Sequence, residues 1–150
     1  MSLQRFLLKK GYHSIKLKKT KTNHFALRAK INGVSGYFIL DTGASNTCVA
    51  MDLAEHFKLQ VEASEIKAAG AGATGMFTRQ APEARIKIGG WRFDNLHLIL
   101  LDLSHVNTAL TEHSAKAVDG IIGADVLEGA KAIIDYNKKR LYLKKKIFRY

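Results

Sequence analysis

The stretch Tyr37-Phe38-Ile39-Leu40-Asp41-Thr42-Gly43-Ala44-Ser45 delivers one carboxylate at the end of an apolar run, just before a small, hydroxylated, glycine-containing loop. Four consecutive apolar residues describe a strand buried on both faces. Asp41 falls where that strand ends, and Gly43 allows a turn that bulkier residues enter only at a cost. A charge at the mouth of a buried strand must be paired or hydrogen-bonded. Taken alone, Asp41 reads equally well as a turn or helix-cap aspartate and as a functional group.

The residues leading to it form a hairpin. Phe25–Ile31 and Val34–Leu40 both have strand patterns, and Asn32-Gly33 between them is the dipeptide that best tolerates two successive positive φ angles. A half-exposed strand over His13–Lys18 precedes them. Downstream, Val49, Leu53 and Phe57 lie near helical spacing and predict a short helix over about residues 49–57, with Met51 as core filler. Val61–Ala68 and Arg79–Ile88 are extended and flank Gly70-Ala71-Gly72-Ala73-Thr74-Gly75, which together predict a long hairpin with a mobile glycine-rich tip. After the Gly89-Gly90 turn, Trp91–Phe93 and Leu96–Leu101 predict two strands, and residues 103–117 an irregular loop with a helical turn. Val118-Asp119-Gly120-Ile121-Ile122-Gly123 predicts a short strand running close to another backbone. Asp125 then falls in the first turn of a short helix, where its charge complements the helix dipole, and Gly129 ends that helix. Ala132–Tyr136 and Arg140–Lys144 close the chain as a hairpin turning around Asn137-Lys138.

A chain of 150 residues with 47% hydrophobic composition is one ordinary domain with material for a core. No apolar run is long enough to span a membrane. Phe6-Leu7-Leu8 is too short for the apolar region of a signal peptide, so a cytoplasmic location is expected. One cysteine, Cys48, excludes an intrachain disulfide and a cysteine-based metal cluster. The six histidines have no metal-ligand spacing, and no cofactor or metal is expected. Gly70–Gly75 lacks the Gly-Lys-Ser/Thr and the following helix of a phosphate-binding loop.

The net charge of +11 is uneven. Residues 1–40 hold nine Lys and Arg and no acid, and residues 131–150 hold eight against Asp135 alone. Between them lie seven basic and twelve acidic residues. Basic ends point either to an anionic partner such as nucleic acid or lipid, or to lysines that solvate edge strands and discourage aggregation; the second is favoured. No zinc-finger spacing or aromatic RNA-binding signature accompanies them.

An apolar strand ending in Asp41-Thr42-Gly43-Ala44, a glycine-rich hairpin tip at Gly70–Gly75, and Gly120-Ile121-Ile122-Gly123 before a short helix resemble, in that order, the retropepsin-like aspartic proteases. The match covers roughly residues 25–145. The resemblance implies a mostly β, single-lobe acid-protease barrel with a flap hairpin and one or two short helices, its core spanning about residues 13–145. Asp41, Thr42 and Gly43 correspond to the catalytic loop. Gly70, Ala71, Gly72, Ala73, Thr74 and Gly75 correspond to the tip of the substrate-covering flap. The implied activity is that of an endopeptidase acting on polypeptides, with water held between two carboxylates that share a proton.

This chain carries one Asp-Thr-Gly, and Asp119, Asp125 and Asp135 lack the strand-end and glycine-turn context. The resemblance therefore implies a homodimer with Asp41 from each copy. Retroviral members carry an Asp after Asp-Thr-Gly-Ala and an Arg after Ile-Ile-Gly that pair; here those positions are Ser45 and Ala124, and Asp125 follows the glycine by two, as in the bacterial and cellular branch. Interleaving two sets of basic termini would bring like charges together, so the expected dimer rests mainly on the Asp41–Ser45 loops and flaps and is weak or substrate-assisted. The alternative is a catalytically silent fold of the same kind, used for dimerisation or peptide binding.

Overall fold

A computed structural model describes residues 1–63, 68–70 and 73–145. Its elements in chain order are α1 (Leu3–Lys9), β1 (Tyr12–Lys16), β2 (Lys18–Lys19), β3 (Phe25–Ile31), β4 (Val34–Leu40), β5 (Cys48–Ala50), a 3₁₀ turn at Met51–Leu53, β6 (Glu62–Ala63), β7 (Ala68–Gly70), β8 (Ala73–Met76), β9 (Arg79–Ile88), β10 (Trp91–Leu101), α2 (Ser104–Glu112), β11 (Gly120–Ile122), α3 (Ala124–Gly129), β12 (Ile133–Asp135) and β13 (Arg140–Lys144). The protein is mostly β, as its alternating and apolar runs predict.

The main sheet runs β2-β3-β4-β11-β5-β10-β9-β6, and β3 also pairs with β9, so six of its strands close into a barrel. The closing bond pairs are Lys30 with Lys87 and Ile31 with Ile86. Phe38, Ile31, Ile86, Ile88, Leu98 and Leu100, each at most 1% exposed, belong to the core that fills it. Alternation along β10 sends Leu98 and Leu100 into this core. Ile99 and Leu101 go to a second apolar cluster with Cys48, Ala50, Leu103 and Ile121 on the opposite face. That is why the run Leu96–Leu101 is apolar almost throughout, with only His97 exposed.

The Asn32-Gly33 hairpin forms as predicted, with φ +49° and +82°. Asn32 does more than turn the chain. Its side-chain amide donates to the Phe57 and Lys58 carbonyls, and its Oδ1 accepts from the Arg85 amide.

Several elements differ from the sequence expectations. Residues 49–57 are not one helix: Cys48–Ala50 is a strand, parallel to β10 and antiparallel to β11. The helical spacing reports a single turn, in which Phe57 N–H donates to the Leu53 carbonyl and Lys58 ends it at φ +54°. Trp91–Leu101 is one strand, not two, because register shifts between Phe93 and Leu98 absorb Asp94-Asn95. Residues 104–112 form a full helix, started by Asp102 Oδ1 accepting from the Ser104 amide at 2.8 Å. At its far end Ser114 turns at φ +60°. The N-terminal residues, for which no element was expected, form α1, with the Ser2 hydroxyl accepting from the Arg5 amide. The short helix does end at Gly129, but the left-handed residue that follows is Lys131, at φ +47°. The two termini pair with each other: β1 and β12 flank β13 in a separate three-stranded sheet. No helix among the described residues is long and apolar enough to cross a membrane.

Candidate active site

Asp41 follows β4 directly. Its strand runs parallel to β11, with Ile39 beside Ile121 and Leu40 beside Ile122. The ladder continues one bond further, because Asp41 N–H donates to the Ile122 carbonyl at 3.0 Å. The chain then turns, Ala44 N–H donating to the Asp41 carbonyl at 3.2 Å. Gly43 N–H donates to Asp41 Oδ1 at 2.9 Å, and this fixes the carboxylate's orientation. Asp41, Thr42 and Gly43 are all solvent-exposed. A charge that sequence alone made costly is thus hydrogen-bonded at a barrel edge, with its second oxygen toward no described donor.

Gly43 is required for a different reason from the one expected. It does not occupy the left-handed region, which among the described glycines holds only Gly11, Gly33 and Gly89. A Cβ at Gly43 would instead lie 3.3 Å from Asp41 Oδ1, crowding the oxygen that the Gly43 amide serves.

The loop is braced from the other side by Thr47 and Asp125. The Asp125 carboxylate accepts from the Thr47 amide at 3.0 Å, from the Thr47 hydroxyl at 2.7 Å and from its neighbour's Val126 amide at 2.8 Å. Thr47 Oγ1 in turn accepts from the Gly123 amide at 3.0 Å, and Ala124 N–H donates to the Ala44 carbonyl at 2.7 Å. Ser45 and Ala124 stand where a charged pair could tie loop to helix; that tie is made instead by a carboxylate–hydroxyl clamp, two residues further along the loop at Thr47 and one further along the helix at Asp125. Thr47 is fully buried and was not singled out in the sequence. Its only signal was a hydroxyl two residues past Ser45 at the start of an apolar strand.

Gly120 and Gly123 fit the expectation of close backbone approach. A Cβ on Gly120 would overlap the Cys48 carbonyl oxygen and approach the Phe38 ring to 2.6 Å. One on Gly123 would meet the Ala44 carbonyl at 2.8 Å. Cys48, beside this strand, has its thiol pushed up to about 12, first by burial and then by the nearby charges of Asp125 and Asp41, against a hydrogen bond from the Ile121 backbone.

The other acids considered as internal partners are occupied elsewhere. Asp119 accepts from the Tyr37 amide at 2.9 Å, and Asp135 from the Lys138 amide at 3.0 Å. Of the glycine-rich tip, Gly70 ends β7, and Ala73, Thr74 and Gly75 lie in β8, with Gly70 paired to Ala73. Ala71 and Gly72 lie outside the described residues. A cavity of about 190 Å³ opens between β10 and α3, lined by Asn46, Trp91, Leu96, His97, Asp125 and Val126, on the side of the clamp rather than over Asp41.

Residues 27–126 match the family model described as aspartyl protease. In fold, the chain is similar to a retropepsin-like aspartic protease from Rickettsia conorii (TM-score 0.56, 21% identity, 89% of this chain and 92% of that one covered). It is also similar to the protease of EIAV, solved with the inhibitor HBY-793 (TM-score 0.55, 19% identity, 73% of this chain and 90% of that one). The fold is retropepsin-like. No curated protein matches the sequence. The comparisons lend no support to a nucleic-acid role for the basic termini.

Proposed function

Since the chain belongs to the aspartyl protease family, we propose that it is an endopeptidase whose catalytic group is the Asp41 carboxylate, used in pairs across a homodimer. Family and fold support a peptidase function in general. The observation that carries the specific reading is the state of Asp41 in a single chain. The carboxylate is solvent-exposed and oriented by the Gly43 amide, on a loop held from behind by the Thr47–Asp125 clamp. A cap or turn aspartate has no need of that support.

Two carboxylates a few ångströms apart cannot both ionise, so a pair shares one proton. The ionised member takes a proton from water as it attacks the peptide carbonyl, and the protonated one donates to the carbonyl oxygen. The amine leaves with the proton taken from water. A twofold axis between two Asp41 loops supplies the second carboxylate that this chain lacks. In this reading Thr42 locks the paired loops, and Gly43 lets its amide reach the carboxylates without crowding them. The β7–β8 hairpin, in which Gly70 pairs with Ala73, closes over an extended polypeptide and excludes water. The pairing of β1 with β13 inside one chain supports a reading in which the basic termini are not interleaved between subunits. The dimer then rests chiefly on the Asp41–Ser45 loops and hairpin tips, and is weak.

The test is peptide cleavage as a function of protein concentration. Activity per chain should rise with concentration near the dimer dissociation constant, in step with the sedimentation-determined dimer fraction. Concentration-independent specific activity from a monomer would overturn the shared site. Peptide binding without cleavage at any concentration would favour a silent domain.

A further inference from the structure

The lysine-rich N-terminal region takes no part in the site described above, and it also carries an unusual exposure of apolar side chains. α1 turns only Leu7 inward, at 4% exposure. Leu3, Phe6 and Leu8 remain 46%, 47% and 47% exposed, and Met1 83%. Leu3 and Phe6, three apart, lie along one flank of the inward residue, and Leu8 along the other. Arg5 and Lys9, four apart, form an outward ridge between these flanks. Lys10 reaches back over the Phe6 ring at 5.6 Å.

The same end of the small sheet gathers more cations. β1 leaves α1 and pairs with β13 so that Tyr12 faces Lys144 at this end, with Lys16 opposite Arg140 at the far end of the ladder. Lys145 N–H donates to the Gly11 carbonyl, which places Lys9, Lys10, Lys144 and Lys145 around one corner. No Asp or Glu occurs in residues 1–40. Among the described residues the only ion pair is Arg92–Asp94, so no carboxylate of those residues pairs with these cations.

We propose that α1 with the adjoining β1–β13 corner docks on the surface of a bilayer containing acidic phospholipid. On one flank of α1, Leu3 and Phe6 lie exposed beside the Arg5–Lys9 ridge and Lys10, and that flank suits an interface where phosphate groups lie just above acyl chains. Long Lys and Arg side chains reach the phosphates while the apolar residues enter below. A second copy of this chain would oppose cation to cation. A nucleic acid would use the cations but leave Met1, Leu3, Phe6 and Leu8 in water. The surface belongs to a different sheet from the one that ends in Asp41, so the proposal stands independently of the catalytic reading.

The test is co-sedimentation of the full chain with vesicles of phosphatidylcholine alone or mixed with phosphatidylglycerol. The chain should bind the mixed vesicles and not the neutral ones. The double variant Leu3→Gln, Phe6→Gln should weaken that binding by about tenfold or more, since both side chains would lose their apolar burial. Lys9→Gln with Lys10→Gln should also weaken it and reduce its salt dependence. Thermal midpoints of both variants should match the parent, because these side chains are exposed. Equal binding to both vesicle types would overturn the proposal. So would binding to acidic vesicles that the Leu3→Gln, Phe6→Gln pair leaves intact, which would mean charge adsorption alone. Binding to single-stranded RNA with none to acidic vesicles would assign the surface to nucleic acid instead.

Discussion

Thr47 donates its hydroxyl proton to Asp125 Oδ1 at 2.7 Å while accepting from the Gly123 amide at 3.0 Å, so one buried hydroxyl joins the Asp41 loop, β11 and α3. Thr47→Val keeps the shape and removes both bonds, leaving the buried Gly123 amide without its acceptor and Asp125 Oδ1 with only the Thr47 and Val126 amides. The expected cost is about 2–4 kcal/mol, one hydrogen bond to a charged group plus one unsatisfied donor. Urea unfolding should show it as a lower midpoint at unchanged slope. Asp125→Asn, which keeps an acceptor toward the Thr47 hydroxyl, should lose less. Equal stability of Thr47→Val and the parent would mean that the clamp does not hold the loop.

Asp41→Asn separates the cap from the catalytic group. A capping aspartate would reveal itself in stability. An exposed carboxylate whose one hydrogen bond among the described residues is accepted from the Gly43 amide can be replaced by an isosteric amide within about 0.5 kcal/mol. Cleavage should fall by at least about 100-fold, because the amide can neither accept nor give the proton the reaction moves. Adding a large excess of the variant to the parent chain should also depress the parent's activity, as mixed dimers with one carboxylate form. Undiminished parental activity in the mixture would exclude a site shared between subunits.

Gly120 and Gly43 should fail in different ways. Gly120→Ala drives a methyl into the Cys48 carbonyl and the Phe38 ring, and neither a paired strand's backbone nor a fully buried ring can readily move aside. A loss of about 3 kcal/mol or more, seen as poor folding or a much lower thermal midpoint, is expected. Gly43→Ala meets only the Asp41 oxygen at 3.3 Å at an exposed position. That variant should fold with nearly parental stability and lose activity, as the carboxylate is pushed off the Gly43 amide. A stable Gly120→Ala would show that β11 is not wedged between β4 and β5 as described.

The parts of this fold legible in sequence were those dictated by local chemistry. Asn32-Gly33 fixes its hairpin because two positive φ angles are required there, and Ile121-Ile122 reads as a buried strand because both faces are covered. Val49 illustrates what was not legible. Helical spacing from Val49 through Leu53 to Phe57 is real for the last turn alone, since β10 and β11 claim Cys48–Ala50 as a strand from far away in the chain. α2 was hidden for the opposite reason. Its start depends on Asp102, two residues before the first helical residue, and its apolar contacts come only from Leu103, Val106 and Leu110 amid polar neighbours. In the site, Asp41 announced itself by an anomalous charge at a strand end. Thr47 could not, because a buried threonine is ordinary until the carboxylate it holds, 78 positions later, is seen beside it.

Cys48 offers a pH test of the apolar wall behind the Asp41 loop. Burial is the main cause that raises its thiol from 9.0 to about 12, with the charges of Asp125 and Asp41 adding to it. The folded chain therefore keeps this proton through a window in which the unfolded chain gives it up. Stability from the neutral thiol is complete below about pH 9 and is lost progressively as pH rises toward 12. Lysines and tyrosines titrate in the same range, so the parent must be compared with Cys48→Ala at each pH. The variant starts lower because it leaves a small cavity, but its thermal midpoint should fall less steeply between about pH 8 and about pH 10.5. The folded parent should also resist alkylation of Cys48 at neutral pH until denaturant is added, since the reactive thiolate is scarcely populated. Parallel pH slopes, or rapid labelling of the folded chain, would mean that Cys48 is open to solvent and that Ile121 and Ile99 do not seal it against β5.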